Sequence, residues 1–572
     1  MPGYDNPQTP GTPASGHYGS YDQPGSQQAL NDQDGQYYHF SDKEAGAGAG
    51  GAGAGAAKGN WFSRHKLLTG IIAAVVLLAI ALGAGLGAGL GSKSNSDSSS
   101  SSSANDSGSS SGSSSGSGKN SGSGSSSGGS SSSDKTITPL PKWNLTDTDT
   151  KMYGASLGSW LLLERWMNED WMVNTAGADA WDEWTFIENL GRDKALAALK
   201  DHWDTWVTEA DLDLMQSAGF NTIRIPVGYW AFVPAAEGEP YLAQSGQTEQ
   251  LQKMFGWLHD RKMYASIDMH GMPGSQNGDQ SSGHNTSSSS QKIGWFSDTN
   301  QQISMQAINA AISFIQGSNY SSVVNSIGIV NEPRPWDGSF SQSQKNSNAQ
   351  ITRDFYENAY QACKKAGIPA IFHHGFYSGS GTPAQYWADF ATGKDPNYLA
   401  YEDHPYPGWF TPQNTSRSYM QNNVCQIVQG GVGYPVPMII TEWSSINGVY
   451  DDDWTRTYTN LQAAGYAWSG GSVFWSFKTT HSKTQVLALP DNLQDMYSAV
   501  TLINSGVIPK PSANQTNKQF LEAQSGADTC GQWPVESWTN PSTQGAGYSG
   551  RRRSLEESVS SDEMLMGKRR LD

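Results

Sequence analysis

The sequence predicts an α/β protein: a (β/α)8 barrel preceded by a single transmembrane helix and by disordered N-terminal and linker segments. Three observations carry this. About 400 residues, from Thr138 to Pro534, read as one globular unit, too long for a single sandwich and suited to one barrel with decorated loops. Within that unit an amphipathic helix, a turn and an apolar strand recur until eight strands are counted. Ahead of it, Leu67–Leu90 runs 24 residues without a charge.

The chain divides at these points into residues 1–66, 67–90, 91–137, 138–534 and 535–572. The first stretch is rich in Gly, Ser, Gln, Asp, Pro and Tyr and shows no hydrophobic period, so it is a disordered tail. The apolar run can cross a hydrocarbon core of about 30 Å at about 1.5 Å per residue. A cleaved signal peptide would start near the N-terminus and have an apolar stretch of only about 7–15 residues. This run starts late and is longer, which favours an uncleaved anchor. Lys58, Arg64 and Lys66 precede it and only Lys93 follows closely, so the tail faces the cytosol and the barrel lies outside, as a single-pass type II protein of the cell membrane. Ser92–Ser133 is nearly pure Ser and Gly and cannot bury a core, so it is a flexible tether that O-glycosylation would suit. The last stretch carries the basic clusters Arg551–Arg553 and Lys568–Arg570, either processing sites or solvated charges.

The strands follow in order. Tyr153–Trp160 is the first. The stripe Trp203, Val207, Ala210, Leu214 and Ala218 marks a helix over His202–Ala218, Gly219 can cap it, and Asn221–Val227 is the second strand. Helices over Leu251–Lys262, Ile303–Ile315 and Asp354–Ala366 lead into strands at Met263–Gly271, Val324–Pro333 and Ile368–Phe376. Tyr398–Tyr406 and Val436–Trp443 are the sixth and seventh. A helix near Thr455–Ala464 precedes the eighth, Gly471–Thr479. An open doubly wound sheet is the alternative, but no Gly-rich phosphate loop follows the first strand.

Composition narrows the chemistry. Net charge is −17, which argues against nucleic acid as a partner. Three cysteines without CxxC or zinc-like Cys/His spacing give no reason to expect a metal or other cofactor. Trp (21) outnumbers Phe (17), which suits a ligand with flat apolar faces such as a sugar, although Trp also fills large cores. Sequons at Asn105, Asn144, Asn285, Asn319, Asn414 and Asn514 suit a glycoprotein of the secretory pathway. Cys425 and Cys530 lie in loop-like sequence and could pair there; Cys363, on a helical stripe, reads as a buried free thiol.

A barrel of this kind builds its site at the C-terminal ends of its strands. Those ends carry Arg224, His270, Asn331 with Glu332, His373 with His374, His404 with Tyr406, Glu442 and Trp475. Any one of them alone is as well explained by packing; the recurrence from strand to strand is the signal. Two are carboxylates ending apolar strands, Glu332 in IGIVNEP and Glu442 in MIITEW. Such a pair is what glycoside hydrolysis requires, one acid to protonate the leaving oxygen and one carboxylate to attack.

Seven stretches then carry a resemblance: 153–167 (YGASLGSWLLLERWM), 221–232 (NTIRIPVGYWAF), 268–278 (DMHGMPGSQNG), 330–333 (VNEP), 403–406 (DHPY), 440–444 (ITEWS) and 474–479 (FWSFKT). In content and order they resemble glycoside hydrolase family 5, and within it the fungal exo-β-1,3-glucanases. The resemblance implies Glu332 as acid/base and Glu442 as nucleophile. It implies Asn331 at the sugar 2-hydroxyl, Arg224 and Tyr406 holding the nucleophile, His270 and His404 as polar walls, and Trp475 as the platform under glucose. Glu164 would grip a glucose hydroxyl and close the non-reducing end. In this reading Arg224 keeps Glu442 ionised and Glu332 stays protonated until it donates. The sequence departs from the pattern at Tyr153 (usually Arg), Ser159 (usually Gly), Asp279 (usually an aromatic) and Thr480 (usually acidic). Trp409 stands where a second aromatic is expected.

The implied activity is retaining exo-hydrolysis of β-1,3-glucan, releasing glucose, in cell-wall remodelling, by a membrane-tethered monomer. Alternatives are an endo-β-1,6- or broader β-glucanase and, in another class, an inactive tethered wall-binding protein. A mucin-like stalk fits residues 92–133 but not the barrel.

Overall fold

A computed structural model describes residues 137–531, apart from 287–292, 379–381, 410–412 and 484–490. The tail, the apolar run 67–90, the Ser/Gly linker before residue 137 and the segment 535–572 lie outside the described residues. Among the described residues no helix is long and apolar enough to cross a membrane.

Eight strands close into a barrel in sequence order: β1 Met152–Ser156, β2 Thr222–Gly228, β3 Tyr264–Gly271, β4 Val324–Gly328, β5 Ala370–His373, β6 Leu399–Asp403, β7 Met438–Ile440 and β8 Gly471–Phe474. Every neighbouring pair is parallel, and β8 pairs back onto β1 through Met152↔Gly471 and Ala155↔Phe474. That closure needs glycine: a Cβ on Gly471, which has φ +113°, would stand 2.0 Å from the Met152 carbonyl oxygen.

The principal barrel helices are α1 Glu209–Ser217, α2 Gln247–Asp260, α3 Asp298–Gly317, α4 Gln342–Ala366, α5 Pro383–Ala391, α6 Arg417–Gly431, α7 Asp452–Tyr466 and α8 Ala499–Asn504. They start where the sequence offers caps. Ser341 with Gln344 forms a capping box on α4, Thr382 with Gln385 one on α5, and Asp451 caps α7. The single helix expected over His202–Ala218 is two, Arg192–Trp206 and α1. Val207 is extended, and Thr208 with Asp211 opens a new capping box that satisfies the N–H groups of a fresh first turn.

Apolar residues of five strands, Met152, Ile371, Ala400, Ile439 and Val473, pack together with Leu145 inside the barrel, and Trp143 packs against them. A second apolar cluster, Met167, Trp409, Ile446, Trp475, Leu493, Met496 and Tyr497, brings the segments after β1, β6, β7 and β8 together. Several strands end earlier than the apolar runs suggest. Ser159 has φ +56° and Glu332 φ +46°, and a strand cannot pass through a left-handed residue. After β4 the backbone still bonds across at Asn331, whose N–H donates to the Met269 carbonyl at 3.0 Å, and turns away at Glu332.

Cys425, on α6, and Cys530, beyond the last helix, form a disulfide with Cα atoms 4.9 Å apart. Cys363 is a buried free thiol, and burial pushes it up to about 12, so it stays protonated and does not exchange with that bridge. The bridge spans 105 residues of sequence, so cutting it restores much chain entropy to the unfolded state, about 2–4 kcal/mol. Scanning calorimetry of the Cys425→Ser/Cys530→Ser chain should show a Tm several degrees lower with the fold retained. An unchanged Tm would show that the bridge does not constrain the unfolded chain.

Candidate active site

The C-terminal ends of the strands deliver most of the singled-out side chains to one place; His374 instead lies 3.2 Å from Asp403 through its Nε2. The anchor is Arg224 on β2, which is 1 % exposed. Its Nη1 donates to Glu442 Oε1 at 2.7 Å, and its Nη2 donates to Asn331 Oδ1 at 2.9 Å and lies 3.1 Å from Asp268 Oδ2. The guanidinium carbon sits 5.8 Å from the Trp475 ring centroid, and His270 stacks near parallel to that ring at 5.5 Å. Tyr406 donates its hydroxyl to Glu442 Oε2 at 3.0 Å. Glu442 thus accepts on both oxygens, as an ionised carboxylate does.

His270 and Asp268 share a face of β3 because they are two residues apart, and their side chains meet at 2.6 Å. Burial opposes a charge on His270, but Asp268 and then Glu164 outweigh it and raise His270 to about 9. Glu164 follows β1. Its Oε2 accepts from the Trp166 indole at 2.9 Å, and its buried Oε1 has no hydrogen-bond partner within the chain and lies 3.7 Å from His270 Nε2. Trp409 and Trp475 belong to the same apolar cluster, with Tyr406 packed against it.

Glu332, 5 % exposed, meets His404, whose Nδ1 lies 2.7 Å from Glu332 Oε1 and 3.6 Å from Glu442 Oε2. One imidazole nitrogen thus stands within 4 Å of an oxygen of each glutamate.

The protons can be placed from the same bonds. Thr441 Oγ1 donates to Glu402 Oε2 at 2.6 Å, so toward His404 it can only accept. His404 Nε2, 2.8 Å from that hydroxyl, therefore carries a proton. The Nδ1 contact with Glu332 holds one more, either on His404 beside an ionised Glu332 or on Glu332 beside a neutral His404. Burial resists charge on His404, but Glu442 and Glu332 raise it to about 10. Burial likewise pulls Glu332 up, yet His404, with Arg334 and His270, holds it at about 2. In the free site the proton rests on His404, one short hydrogen bond from Glu332. Glu442 moves the other way: burial raises it, His404 and Arg224 lower it, Glu332 raises it again, and the net direction is up. The expectation that Arg224 keeps Glu442 ionised and Glu332 stays protonated becomes a titration that Glu332 and Glu442 share with His404.

Several functional neighbours escaped the sequence reading: Asp268, Glu402, Thr441 and Arg334. The first two were findable, since each stands two residues before a selected histidine on one strand face. Asp279, at the departure from the aromatic pattern, is paired with Arg334, whose guanidinium lies 5.4 Å from the Phe376 ring centroid. Burial raises Asp279 to about 6 against the pull of Arg334. Thr480 instead caps the Met167 carbonyl through its hydroxyl at 3.2 Å.

Among the described residues one group has metal-ligand composition, Glu332, His373 and His404, with ligand atoms within 4.8 Å of one another. Its hydrogen bonds do not fit a metal. Both His404 nitrogens are engaged, and His373 Nδ1 accepts the Gly375 N–H at 3.0 Å, which puts the His373 proton on Nε2.

Comparison with known proteins agrees with this geometry. Residues 187–479 match the family model for cellulase (glycosyl hydrolase family 5). Among curated relatives, a glucan 1,3-β-glucosidase of Pichia angusta is 37 % identical over 228 residues, covering 40 % of this chain and 48 % of that protein. A probable glucan 1,3-β-glucosidase A of Emericella nidulans is 33 % identical over 325 residues, covering 56 % of this chain and 72 % of that one. The crystal structure of rutinosidase from Aspergillus niger shares the fold, with TM-score 0.54 at 22 % identity over 64 % of this chain and 100 % of that chain. The chain belongs to glycoside hydrolase family 5 and is a glycoside hydrolase.

Proposed function

We propose that this protein is a retaining, exo-acting β-1,3-glucosidase that removes glucose from the non-reducing ends of β-glucan. The single observation that carries the reading is that one imidazole nitrogen, His404 Nδ1, lies 2.7 Å from Glu332 Oε1 and 3.6 Å from Glu442 Oε2, which supports the closer carboxyl spacing of a retaining pair. Glu442, fixed by Arg224 and Tyr406, attacks the anomeric carbon, while Glu332 takes the proton from His404 and passes it to the leaving oxygen. Water then opens the glycosyl ester with Glu332 as base. The curated relatives act on glucan as their names state, which supports β-1,3-glucan as the substrate. Glu164 Oε1, buried, 3.7 Å from His270 Nε2 and without a hydrogen bond of its own within the chain, supports the closed end as an acceptor for a terminal hydroxyl. The Lys58, Arg64 and Lys66 flank of the apolar run 67–90 supports a type II anchor with the barrel in the cell-wall space. Asp279 paired with Arg334, in place of an aromatic face, favours one second reading, a broader β-glucanase with weak grip on the next sugar.

The two glutamates should fail differently. Glu332→Ala should lose about 10²–10⁴-fold on glucan, and azide should restore turnover of an activated aryl β-glucoside. Glu442→Gly should be inactive until azide returns the other anomer of glycosyl azide. Near wild-type activity of either variant sinks the assignment. NMR of a fresh laminarin digest should show β-glucose first; α-glucose first excludes the retaining pair, and early long oligosaccharides exclude the exo pocket.

The pH profile has a definite sign. Glu442 must be ionised to attack, and its folded-state value lies above the ordinary one. Activity is therefore lost as pH falls through a value higher than that of a free glutamate, about 4.3. The alkaline limb is the loss of the proton shared by Glu332 and His404, with His404 at about 10. Measurement of kcat/KM against pH with an acid limb below that of a free glutamate would contradict this balance.

A further inference from the structure

We propose that a second cleft on the catalytic face of the barrel, with Tyr450 as its aromatic platform, is an accessory binding site for a β-glucan chain. The inference rests on β-glucan as the substrate and adds a site outside the reaction centre.

The cleft lies between two connections that leave the C-terminal ends of the paired strands β7 and β8. Tyr450, Asp452 and Arg456 line it from the first, and Asp495, Met496 and Leu502 from the second, around a volume of about 420 Å³. Ligand clefts commonly hold about 300–1,000 Å³. Met496 and Leu502 are buried and give the cleft apolar surface, while Asp452, Arg456 and Asp495 bring hydrogen-bonding groups to it.

Folding does not account for Tyr450. It is the most exposed large hydrophobic side chain among the described residues, at 55 %. Its φ is +54°, in the left-handed region where a bulky residue is an outlier. Among the described residues its ring stacks on no other ring and its hydroxyl makes no hydrogen bond. A ring that buries little and strains its backbone adds nothing to the fold, which points to a partner that arrives from outside. A pyranose has an apolar C–H face and a fringe of hydroxyls. The face matches an exposed aromatic ring, and the hydroxyls match carboxylates and a guanidinium in the same cleft. Two carboxylates to one guanidinium, on a chain of net charge −17, repel a polyanion and suit a neutral polysaccharide.

The cleft is also joined to the reaction centre. Met496 belongs to the apolar cluster that holds Trp409 and Trp475. Its carbonyl accepts the Ser445 N–H at 3.1 Å, and its sulfur lies 3.8 Å from the Asn447 amide. The segment after Trp409 is bonded to the same connection, since Gly448 donates to the Asn414 carbonyl at 2.8 Å and Asn414 to that of Gly408 at 3.0 Å. The connection that begins beside Glu442 thus runs past the Trp409 segment and ends at Tyr450. Two holds on one polymer raise the local concentration of its ends. An enzyme that takes one sugar at a time from chain ends gains most from a hold that leaves the end free.

The full chain is to be compared with Tyr450→Ala and Tyr450→Phe, on a p-nitrophenyl β-glucoside and on particulate β-1,3-glucan. All three should share kcat/KM on the aryl glucoside, which is too short to span both sites. On the particles Tyr450→Ala should bind about 3–10-fold more weakly, the worth of one stacking face, with KM raised and kcat kept, while Tyr450→Phe binds as wild type. Wild-type binding by Tyr450→Ala overturns the proposal, as does a loss that Tyr450→Phe shares. If Tyr450→Ala fails on both substrates, the wild-type enzyme decides: crystals soaked with laminaritriose should show sugar against the Tyr450 ring, and sugar confined to the catalytic pocket overturns the proposal. A wild-type enzyme that neither binds nor cleaves β-1,3-glucan overturns the substrate reading itself.

Discussion

A guanidinium buried at the centre of the barrel mouth sets the terms for everything around it. Arg224 reaches residues of five other strands or their ends: Ser156, Asp268, Asn331, Glu442 and Trp475. An isolated buried cation would cost several kcal/mol, so its donors must all be used. The carboxylates of Asp268 and Glu442 answer its charge; at Asp268 the guanidinium and His270 outweigh burial, whereas at Glu442 burial still wins. The two added carboxylates then demand further cations, which the buried imidazoles His270 and His404 supply. The site is an alternating charge lattice, and the catalytic proton is one of its members.

Much of this was legible in the sequence because strand ends are legible. A parallel barrel must put its side chains of use at the C-terminal edge, so apolar runs ending in Arg224, His270, Glu332, His404 and Glu442 point to one site without knowledge of contacts. Helix stripes fixed the alternation. What stayed hidden lives at shorter range. The break after Trp206 depends on Thr208 and Asp211 satisfying backbone donors, which competes with an unbroken apolar stripe. The strand ends depend on left-handed residues that the sequence marks only when they are glycine. Ser159 shows why glycine suits that position: φ is +56°, and the serine is accommodated with its Oγ bonded to Glu164 N and O. The tautomer of His404 was not legible, because its Nε2 proton follows from the hydroxyl of Thr441, which donates to Glu402 and so can only accept from His404.

The departures from the family pattern sort by what surrounds them. Tyr153 is buried edge-on against Phe220 at 4.7 Å and near Phe520 at 5.9 Å, an apolar setting that a guanidinium could not share without a partner. Asp279 is different, since its environment reaches the chemistry. Glu332 raises Asp279, and Arg334, its ion-pair partner, lowers Glu332. An aromatic residue there would present a neutral face; this pair presents hydrogen-bonding groups, and its guanidinium also lowers Glu332.

The unsatisfied atoms of the site form the last link between stability and work. Glu164 Oε1, Asp268 Oδ1, His373 Nε2 and Glu402 Oε1 are buried without hydrogen-bond partners within the chain. Each such atom costs about 1–3 kcal/mol in a finished core, where selection for stability would remove it. Here they come from four segments at the C-terminal ends of strands, and they include both donors and acceptors. A lattice that bonded every one of them would be more stable and would have nothing left to offer. In the proposed reaction Glu164 keeps an acceptor suited to a hydroxyl that arrives with the substrate. An atom left short of a hydrogen bond in the folded state is then completed by the ligand, not by the chain.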